Sequence, residues 1–392
     1  MRLACLVLLT LSCCLAHEIP AGTTLQVRLT DPISTASATA GTEVHAVTIA
    51  PVVVNGTVVI PQHTAILGKV ISAVSAAQAE NQQARLMLQF TGATVPLHAL
   101  VANVDNAREP VNDKGEIEGI VPKQTFEGLA DRGIEKLNKN QRYSQLGSIL
   151  EAAKEALVKP VDPEISYEPG VEMTLRLTQA VNVANPPDYH SPPPFPKPGE
   201  IKAMVDQLPY ITYAGDQPSD VTNLLFIGSE EQLTHAFAEA GWSTAQELGH
   251  ASAFETARAM IEARGYKEAP VSLLLLDGRA PSLVFQKGNN TFAMRHHLRI
   301  WRMPGAFDAV PVWACSATHD SGIDLRQETF TFIHRIDSDI DQERAKVVDD
   351  LVFTGRVPRV SYVERPKVPR SFHNATGDPV TTDGRIAVVG LR

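Results

Sequence analysis

The stretch NPPDYHSPPPFPKPGE, residues 185–200, divides this sequence into two parts of different character. Proline at this density breaks helices and central strands and favours an extended polyproline II conformation. We therefore predict a semi-rigid linker over residues 185–200, between one domain at 17–184 and another at 201–392. Two domains also fit a chain of 392 residues. A ligand for an SH3-type domain is the alternative interpretation of these prolines.

The part before the linker has the alternation that is typical of β-strands. Residues 24–29, TLQVRL, alternate apolar and polar side chains, as a half-buried strand does. Residues 52–60, VVVNGTVVI, predict a hairpin, because Asn55 and Gly56 suit the positive φ angles of a type I′ turn. Further short strands are expected at 65–74, 85–90 and 94–101. Residues 19–105 are therefore predicted to be all-β.

A weak internal repeat indicates how the β domain is organised. The segment AGTTLQVRLT at 21–30 is echoed by PGVEMTLRLT at 169–178. A similar strand at each end of the domain suits a sheet that closes on itself and removes its edges. Two unrelated strand starts of similar composition are the alternative. Between them, residues 123–158 are polar and helix-prone, so we predict a barrel-like domain with a helical insertion.

Residues 19–183 resemble the TrbI-like β-barrel of type IV secretion scaffolds. The similarity lies in the strand-opening IPAG motif at 19–22 and in the helix-prone excursion that interrupts the strands. The resemblance implies partners among envelope or secretion proteins. The cytoplasmic tail and membrane helix of those scaffolds have no counterpart in this sequence.

The part after the linker mixes strand and helix signals. Residues 224–228, LLFIG, predict a buried strand, and Ser229 predicts the N-cap of a helix that stops at Gly241. Other helices are expected at 254–264 and 339–353, and strands at 272–276, 282–286, 291–303, 311–318, 329–336 and 385–391. Helices segregated around a mainly antiparallel sheet make an α+β domain.

Five stretches of this second part resemble the LssY C-terminal domain. They are LLFIGSEEQLTHAFAEAGW (224–242), RHHLRIW (295–301), VWACSATHDSGI (312–323), FIHRIDSDIDQER (332–344) and TDGRIAVVG (382–390). The resemblance covers about residues 201–392. It implies an envelope protein, because such domains occur there and are in some cases attached to membrane phosphatidic-acid phosphatase modules. That module is absent from this sequence, so the resemblance implies no lipid phosphatase activity.

Histidines on the predicted strands are candidate metal ligands. On one strand, His296 lies on the face of Leu298, whereas His297 lies on the opposite face. If the neighbouring strands share a sheet, His296 or His297 could approach Asp320 and His334. Two histidines and a carboxylate suit a divalent metal, or a histidine base oriented by an aspartate. The alternative is that each histidine is simply hydrogen-bonded within the fold.

Two arginines of the same strand are candidate anion ligands. Arg295 and Arg299 share one face with His297 and Trp301. Such a pair can bind a phosphate or carboxylate through bidentate hydrogen bonds. Salt bridges to acidic neighbours within the sheet are the alternative, and we favour them.

The acidic run DSDIDQE, residues 337–343, has the spacing of a calcium-binding loop but fails two of its requirements. The sixth position holds Gln342 where glycine is needed, and the twelfth holds Val348 where glutamate is needed. The run is therefore interpreted as a helix N-terminus, where carboxylates bind free N–H groups.

The N-terminal residues 1–16 have the layout of a secretory signal peptide. One cation, a short apolar run and small residues precede HEIP, and cleavage is expected after Ala16. Lipoprotein processing at Cys13 or Cys14 is the alternative. Cleavage removes three of the four cysteines and leaves only Cys315, which we interpret as a structural thiol. The expected product is exported, periplasmic or extracellular, without an integral membrane segment.

Composition and motifs give two functional hypotheses. The net charge of −9 argues against a nucleic-acid partner, because phosphate contacts need clustered cations. No complete catalytic motif is present, so the leading hypothesis is a non-catalytic envelope protein that binds or assembles with envelope or secretion proteins. The alternative is a hydrolase assisted by a divalent metal at His296, His297, Asp320 and His334.

Overall fold

The protein is described from a computed structural model, over residues 17–92, 95–105, 109–122, 162–186, 188–244, 274–288, 295–326 and 331–392. The predicted signal peptide, the helical insertion at 123–158 and the helix at 254–264 lie outside these residues. In the part of the chain so described, no helix has the length and apolarity needed to span a membrane.

Among its described residues, the first part of the chain consists of short strands and one turn of 3₁₀-helix at Glu80–Gln82. The strands are β1 (His17–Ile19), β2 (Thr24–Leu29), β3 (Ile33–Ser34), β4 (Glu43–Thr48), β5 (Val52–Val54), β6 (Thr57–Ile60), β7 (Ala65–Val74), β8 (Arg85–Phe90), β9 (Ala99–Asp105), β10 (Glu116–Glu118), β11 (Ser166–Tyr167), β12 (Glu172–Leu177) and β13 (Val181–Val183).

Within the described residues, six of these strands close into an antiparallel barrel. The order is β8-β7-β4-β2-β12-β9, and a short pairing of β9 with β8 completes the circle. Strand β10 extends the other end of β8. The barrel-like prediction is therefore confirmed, and the two echoed segments supply β2 and β12, which pair directly with each other.

The predicted hairpin is also confirmed. Strands β5 and β6 pair across Asn55 and Gly56, whose φ angles are 48° and 78°. In contrast, the strand predicted at 94–101 begins only at Ala99 and runs to Asp105. A turn precedes it, in which the Leu97 N–H donates to the Thr91 carbonyl over 3.0 Å.

The second part of the chain combines strands with three α-helices among the residues described. The helices are α1 (Pro198–Asp206), α2 (Glu230–Glu239) and α3 (Ile340–Phe353). The strands are β14 (Ile211–Ala214), β15 (Gln217–Val221), β16 (Leu224–Ile227), β17 (Ser243–Thr244), β18 (Leu283–Gly288), β19 (Arg295–Phe307), β20 (Val310–Arg326), β21 (Thr331–Ile336), β22 (Arg359–Glu364), β23 (Ser371–His373), β24 (Pro379–Thr381) and β25 (Arg385–Gly390).

One mixed sheet organises this part. Its order is β17-β18-β19-β20-β16-β25-β22, with β21 paired to β20, and only the β16–β25 pair is parallel among the described strands. Apolar residues of α2 and α3 pack on one face, together with Leu298 and Ile300. Helix α1 packs on the opposite face with Trp301 and Met303. The predicted mainly antiparallel α+β arrangement is confirmed.

The strand predicted at 272–276 is wrong over its described residues. Leu275 and Leu276 make only isolated bridges, to Tyr213 and Arg279 respectively. A turn follows at once, because Asp277 and Gly278 both adopt positive φ angles. The described segment before this turn is too short to form a ladder of hydrogen bonds with a neighbouring strand.

The proline-rich segment lies along the second part of the chain. Its Pro193 carbonyl accepts from the Val360 N–H over 3.2 Å, and the Phe195 N–H donates to Ser361 Oγ over 3.0 Å. Helix α1 begins at Pro198, inside the predicted linker, since proline suits the first turn of a helix. The exact domain boundaries stay a prediction.

The cap of α2 gives a first test of the fold. The Gln232 N–H donates to Ser229 Oγ over 3.1 Å, and the Ser229 N–H donates to Gln232 Oε1 over 2.8 Å. We expect Ser229→Ala to lower the free energy of unfolding by ~1 kcal/mol in urea titrations. Ser191→Ala, at an exposed position of the linker, is the matched control. Equal stability of the two variants would contradict the capping role.

Candidate functional site

Helix α3 lies between the sheet and the barrel and carries buried charges. Val347 and Leu351 pack into the apolar core against the sheet. Glu343, Lys346 and Asp350 are also buried, although charged side chains are rarely buried without partners. The partners of these three residues define the site.

The barrel contributes a row of charged residues to the same place. In the ladders of β2, β12 and β9, Glu172 lies directly opposite Arg28 on one side and Asp105 on the other. Residues directly opposite in neighbouring strands share a face. Glu172 alternates with the core residue Met173, so the row is on the outer face of the barrel. The exposed fraction of Glu172 is nevertheless only 2%. The second part of the chain covers it.

Glu172 is the centre of the contacts. Its Oε1 accepts from Arg28 Nη2 over 2.5 Å and from Lys287 Nζ over 2.8 Å. Its Oε2 accepts from Lys346 Nζ over 3.2 Å. One barrel carboxylate therefore binds one cation of the barrel, one of β18 and one of α3.

Asp350 joins the same two lysines from the other side. Its Oδ2 lies 3.0 Å from Lys287 Nζ, and its Oδ1 lies 3.5 Å from Lys346 Nζ. The indole Nε1–H of Trp242 donates to Asp350 Oδ2 over 3.0 Å. The two lysines are thus shared between a carboxylate of the barrel and a carboxylate of α3.

His296 adds contacts to two further carboxylates of the junction. Its Nδ1 lies 2.7 Å from Glu343 Oε2, and its Nε2 lies 3.7 Å from Asp105 Oδ2. The His319 ring stacks on it at 4.4 Å between centroids. Because both ring nitrogens of His296 face carboxylates, the doubly protonated imidazolium is favoured.

We call this set the junction network. Its members are Arg28, Asp105, Glu172, Lys287, His296, Glu343, Lys346 and Asp350. With His296 protonated, these described residues comprise four cations and four carboxylates. The network is therefore electrically balanced although it is buried.

The pKa values reflect this balance. Burial alone would raise the pKa of Glu172, but Lys287, Lys346 and Arg28 hold it well below its usual range. Burial alone would lower the pKa of Lys346, but Asp350 and Glu172 raise it. Burial would likewise lower the pKa of His296, and Glu343 with Asp105 raises it to about 9. Glu172, Lys346 and His296 are therefore held in their charged forms at neutral pH.

Aromatic contacts, a hydrogen bond between the barrel and α3, and a cleft lie beside the network. Phe353, at the end of α3, stacks on the His63 ring of the barrel at 4.4 Å and lies 4.6 Å from the Arg28 guanidinium. The Gln62 amide donates to the Asp349 carbonyl over 3.0 Å. A cleft of about 470 Å³ borders the network beside Arg28, Lys287 and Trp242.

The predicted metal ligands are only partly placed by the structure. His296 faces α3, whereas the adjacent His297 is buried on the opposite side of the strand. The two cannot face one cleft together. The residue opposite His296 in the ladder is His319, next to Asp320. The side chains of Asp320 and His334 lie outside the described residues, and no metal-type cluster of three ligands occurs among the side chains that are described.

The other predicted residues, and Arg344 of α3, have these surroundings. Arg299 lies 3.5 Å from Asp220, and the side chain of Arg295 is outside the described residues. Arg344 binds Asp341 over 3.0 Å and Asp383 over 2.8 Å. Burial raises the pKa of the Cys315 thiol well above its usual range. Such a thiol is a poor nucleophile.

Sequence reasoning missed most of the junction network, yet one signal was present. Glu343, Lys346 and Asp350 lie beside Val347 and Leu351 on the helix, so the α3 pattern places charges along the edge of its apolar face. The row of charged residues on the barrel, Arg28, Glu172 and Asp105, gave no such signal in the sequence. An outward polar residue in an alternating strand is indistinguishable from a solvent-exposed one.

In this protein a small closed barrel is joined to an α+β part through buried ion pairs. Residues 204–386 match the family described as the LssY C-terminus. The α+β part is therefore an LssY-like C-terminal domain, as the sequence predicts. No curated protein matches the chain. The likeness of the barrel to TrbI-like scaffolds stays a prediction.

Removing the central carboxylate tests the junction network. We expect Glu172→Gln to lower the free energy of unfolding by about 3–5 kcal/mol, because it leaves buried cations without their counter-charge. Urea unfolding at pH 7 measures the change. Glu168→Gln, four residues earlier and exposed, is the matched control and should cost about 0.5 kcal/mol or less. Similar stabilities of both variants would show that the network is not structural.

The pH dependence of stability tests His296. Its folded pKa of about 9 exceeds the ordinary value of 6.5, so its ionic contacts contribute fully below pH 6.5 and are lost as the pH rises through about 9. Glu343, Asp105, His319 and Lys346 face the ring.

We expect the wild-type protein to lose on the order of 2 kcal/mol between pH 6.5 and 9.5 relative to His296→Gln. Urea titrations across that range measure the difference. The exposed His235→Gln is the control and should follow the wild type. Parallel pH profiles of wild type and His296→Gln would refute a protonated His296.

Proposed function

We propose that the protein is an exported envelope protein that works by binding to, and assembling with, other envelope or secretion proteins. In this proposal the barrel and the LssY-like domain act as one non-catalytic unit. The observation that carries it is the junction network, in which Glu172 of the barrel binds Lys287 and Lys346 of the second part.

The burial of the network favours a structural role over catalysis. A general acid or base has to reach a substrate atom within hydrogen-bond distance. His296 instead contacts Glu343 and Asp105 and is stacked on His319, with an exposed fraction of 4%. Its ionisable neighbours are likewise engaged with one another. These groups hold two parts of the protein in a fixed arrangement, which suits a binding unit.

The export part of the proposal rests on the sequence. Residues 1–16 have the signal layout, and the predicted cleavage site directly precedes His17, the first described residue of β1. Ile19 of β1 is fully buried, and β1 pairs with β13 at the end of the barrel. Cleavage after Ala16 would leave this strand intact.

Fractionation of cells tests the export. The full chain is expressed with a C-terminal tag in a bacterium with two membranes, and the periplasm, medium, membranes and cytoplasm are separated. We expect to find a processed chain outside the cytoplasm. Measurement of its intact mass should show that it begins at His17. Leu8→Arg with Leu9→Arg should abolish processing, and Leu8→Ile should not. An unprocessed cytoplasmic chain, or a lipid-modified Cys14, would contradict the proposal.

Photo-crosslinking in the same cells tests the assembly. A photoreactive residue replaces Ile71 on the barrel or Tyr362 on the LssY-like domain, because both are exposed apolar side chains. We expect a reproducible adduct with a defined envelope protein, and none from exposed Lys114 as the control position. Metal-dependent hydrolysis by the purified chain that disappears in His296→Ala would instead support the hydrolase.

A further inference from the structure

A second cleft lies away from the junction, on the face of the sheet that α1 covers. It has a volume of about 670 Å³ and is formed by α1, by the segment that follows α1 and by residues 365–367 after β22. This size is within the usual range for small-ligand sites, ~300–1,000 Å³. The junction network lies on the other face, with α3.

A buried arginine forms part of this cleft. Arg365 has an exposed fraction of 6%. Its Nη1 donates to the Thr222 carbonyl over 3.0 Å and to Thr222 Oγ1 over 2.8 Å, and its Nη2 donates to the Leu208 carbonyl over 3.1 Å. All of these acceptors are neutral, and no carboxylate of the described residues pairs with the guanidinium within 4.0 Å.

The acidic residues of the cleft have other cations as their ion-pair partners. Asp206 binds Lys202 through both oxygens, each at 2.8 Å. Asp277 lies 3.8 Å from Arg279. Among the described residues that form the cleft, Arg365 and the exposed Lys367 are therefore the cations without a carboxylate partner.

This arrangement differs from an ordinary buried arginine. Burial lowers the pKa of Arg365 to about 10, although the negative charge of Asp206 opposes this shift, so the group stays charged at neutral pH. A buried charge whose direct contacts are all neutral is costly, and guanidinium groups suit oxyanions because they form two parallel hydrogen bonds. The contacts to Thr222 and Leu208 fix the position of the guanidinium, but they supply no negative charge.

Several apolar residues also border the cleft. Val205, Leu208, Pro209 and Pro366 border it, and the Tyr210 ring lies 5.9 Å from the Arg365 guanidinium. We propose that this cleft binds a small oxyanion, a carboxylate or a phosphate, that is carried on an apolar or aromatic body. Arg365 is its principal ligand, Lys367 is a second cation, and the apolar wall holds the body.

Calorimetric titration of the full mature chain tests this site. The probes are phenyl phosphate, phenylacetate, inorganic phosphate and neutral benzyl alcohol, at low ionic strength and pH 7. We expect phenyl phosphate or phenylacetate to bind one site per chain, more tightly than inorganic phosphate, and benzyl alcohol not to bind. The better of the two aromatic anions identifies the oxyanion. Absence of binding by both, or equal binding of benzyl alcohol, would overturn the proposal.

Two variants locate the binding. Arg365→Lys keeps the charge but loses the fork of donors, and should weaken binding about tenfold or more. Lys367→Ala should weaken it roughly two- to fivefold, and its exposed position leaves the fold intact. Lys114→Ala is the control for loss of one distant cation. If Arg365→Lys folds, unchanged affinity in both Arg365→Lys and Lys367→Ala would overturn the site. If Arg365→Lys does not fold, the affinity of Lys367→Ala is compared with that of Lys114→Ala, and equal affinities would overturn the site.

Discussion

The carboxylate of Glu172 is the constraint on which the arrangement of this protein depends. A buried carboxylate must have cations close to it, because desolvation otherwise costs several kcal/mol. Glu172 obtains them from three elements, namely β2 through Arg28, β18 through Lys287 and α3 through Lys346. The carboxylate of Glu172 therefore binds the barrel and the LssY-like domain to each other at the centre of their contacts. A rotation of either part would leave an unpaired buried charge.

This constraint explains the unusual composition of α3. A helix between two layers is expected to be apolar where it meets each of them. Helix α3 is apolar towards the sheet, through Val347 and Leu351, but charged towards the barrel, through Lys346 and Asp350. Buried ionic contacts contribute less stability than apolar packing of the same volume, but they tolerate few alternative arrangements. The junction thus gains a defined geometry. The same reasoning explains why Trp242 directs its indole N–H at Asp350.

Much of the local structure could be predicted from the sequence, because it depends on local physical chemistry. The alternation of residues 24–29, the turn at Asn55 and Gly56 and the cap at Ser229 all occur as expected. The failures have a common cause. The predicted strands at 94–101 and 272–276 are apolar in sequence, but turns shorten the ladders that their described residues form.

The sites could be predicted only in part, because they depend on register and on packing between distant segments. Strand alternation correctly places His296 and His297 on opposite faces, but it cannot reveal that Glu343 approaches one of them from α3. Nor can it show that Glu172 lies opposite Arg28, since register is set by the whole barrel. Arg365 follows the end of a strand, with no pattern around it, and only the fold brings it to Thr222 and Leu208.

The two faces of the LssY-like sheet therefore have different electrostatic properties. On the α3 face, the buried charges of the network are matched, so an incoming ion would have to displace an existing partner. On the α1 face, Arg365 is held by neutral oxygens, and the nearby Asp206 already binds Lys202. In a chain of net charge −9, such a local surplus of cations attracts anions selectively. Because a layer of strands separates the two faces, an anion can bind beside Arg365 while the junction network remains unbroken.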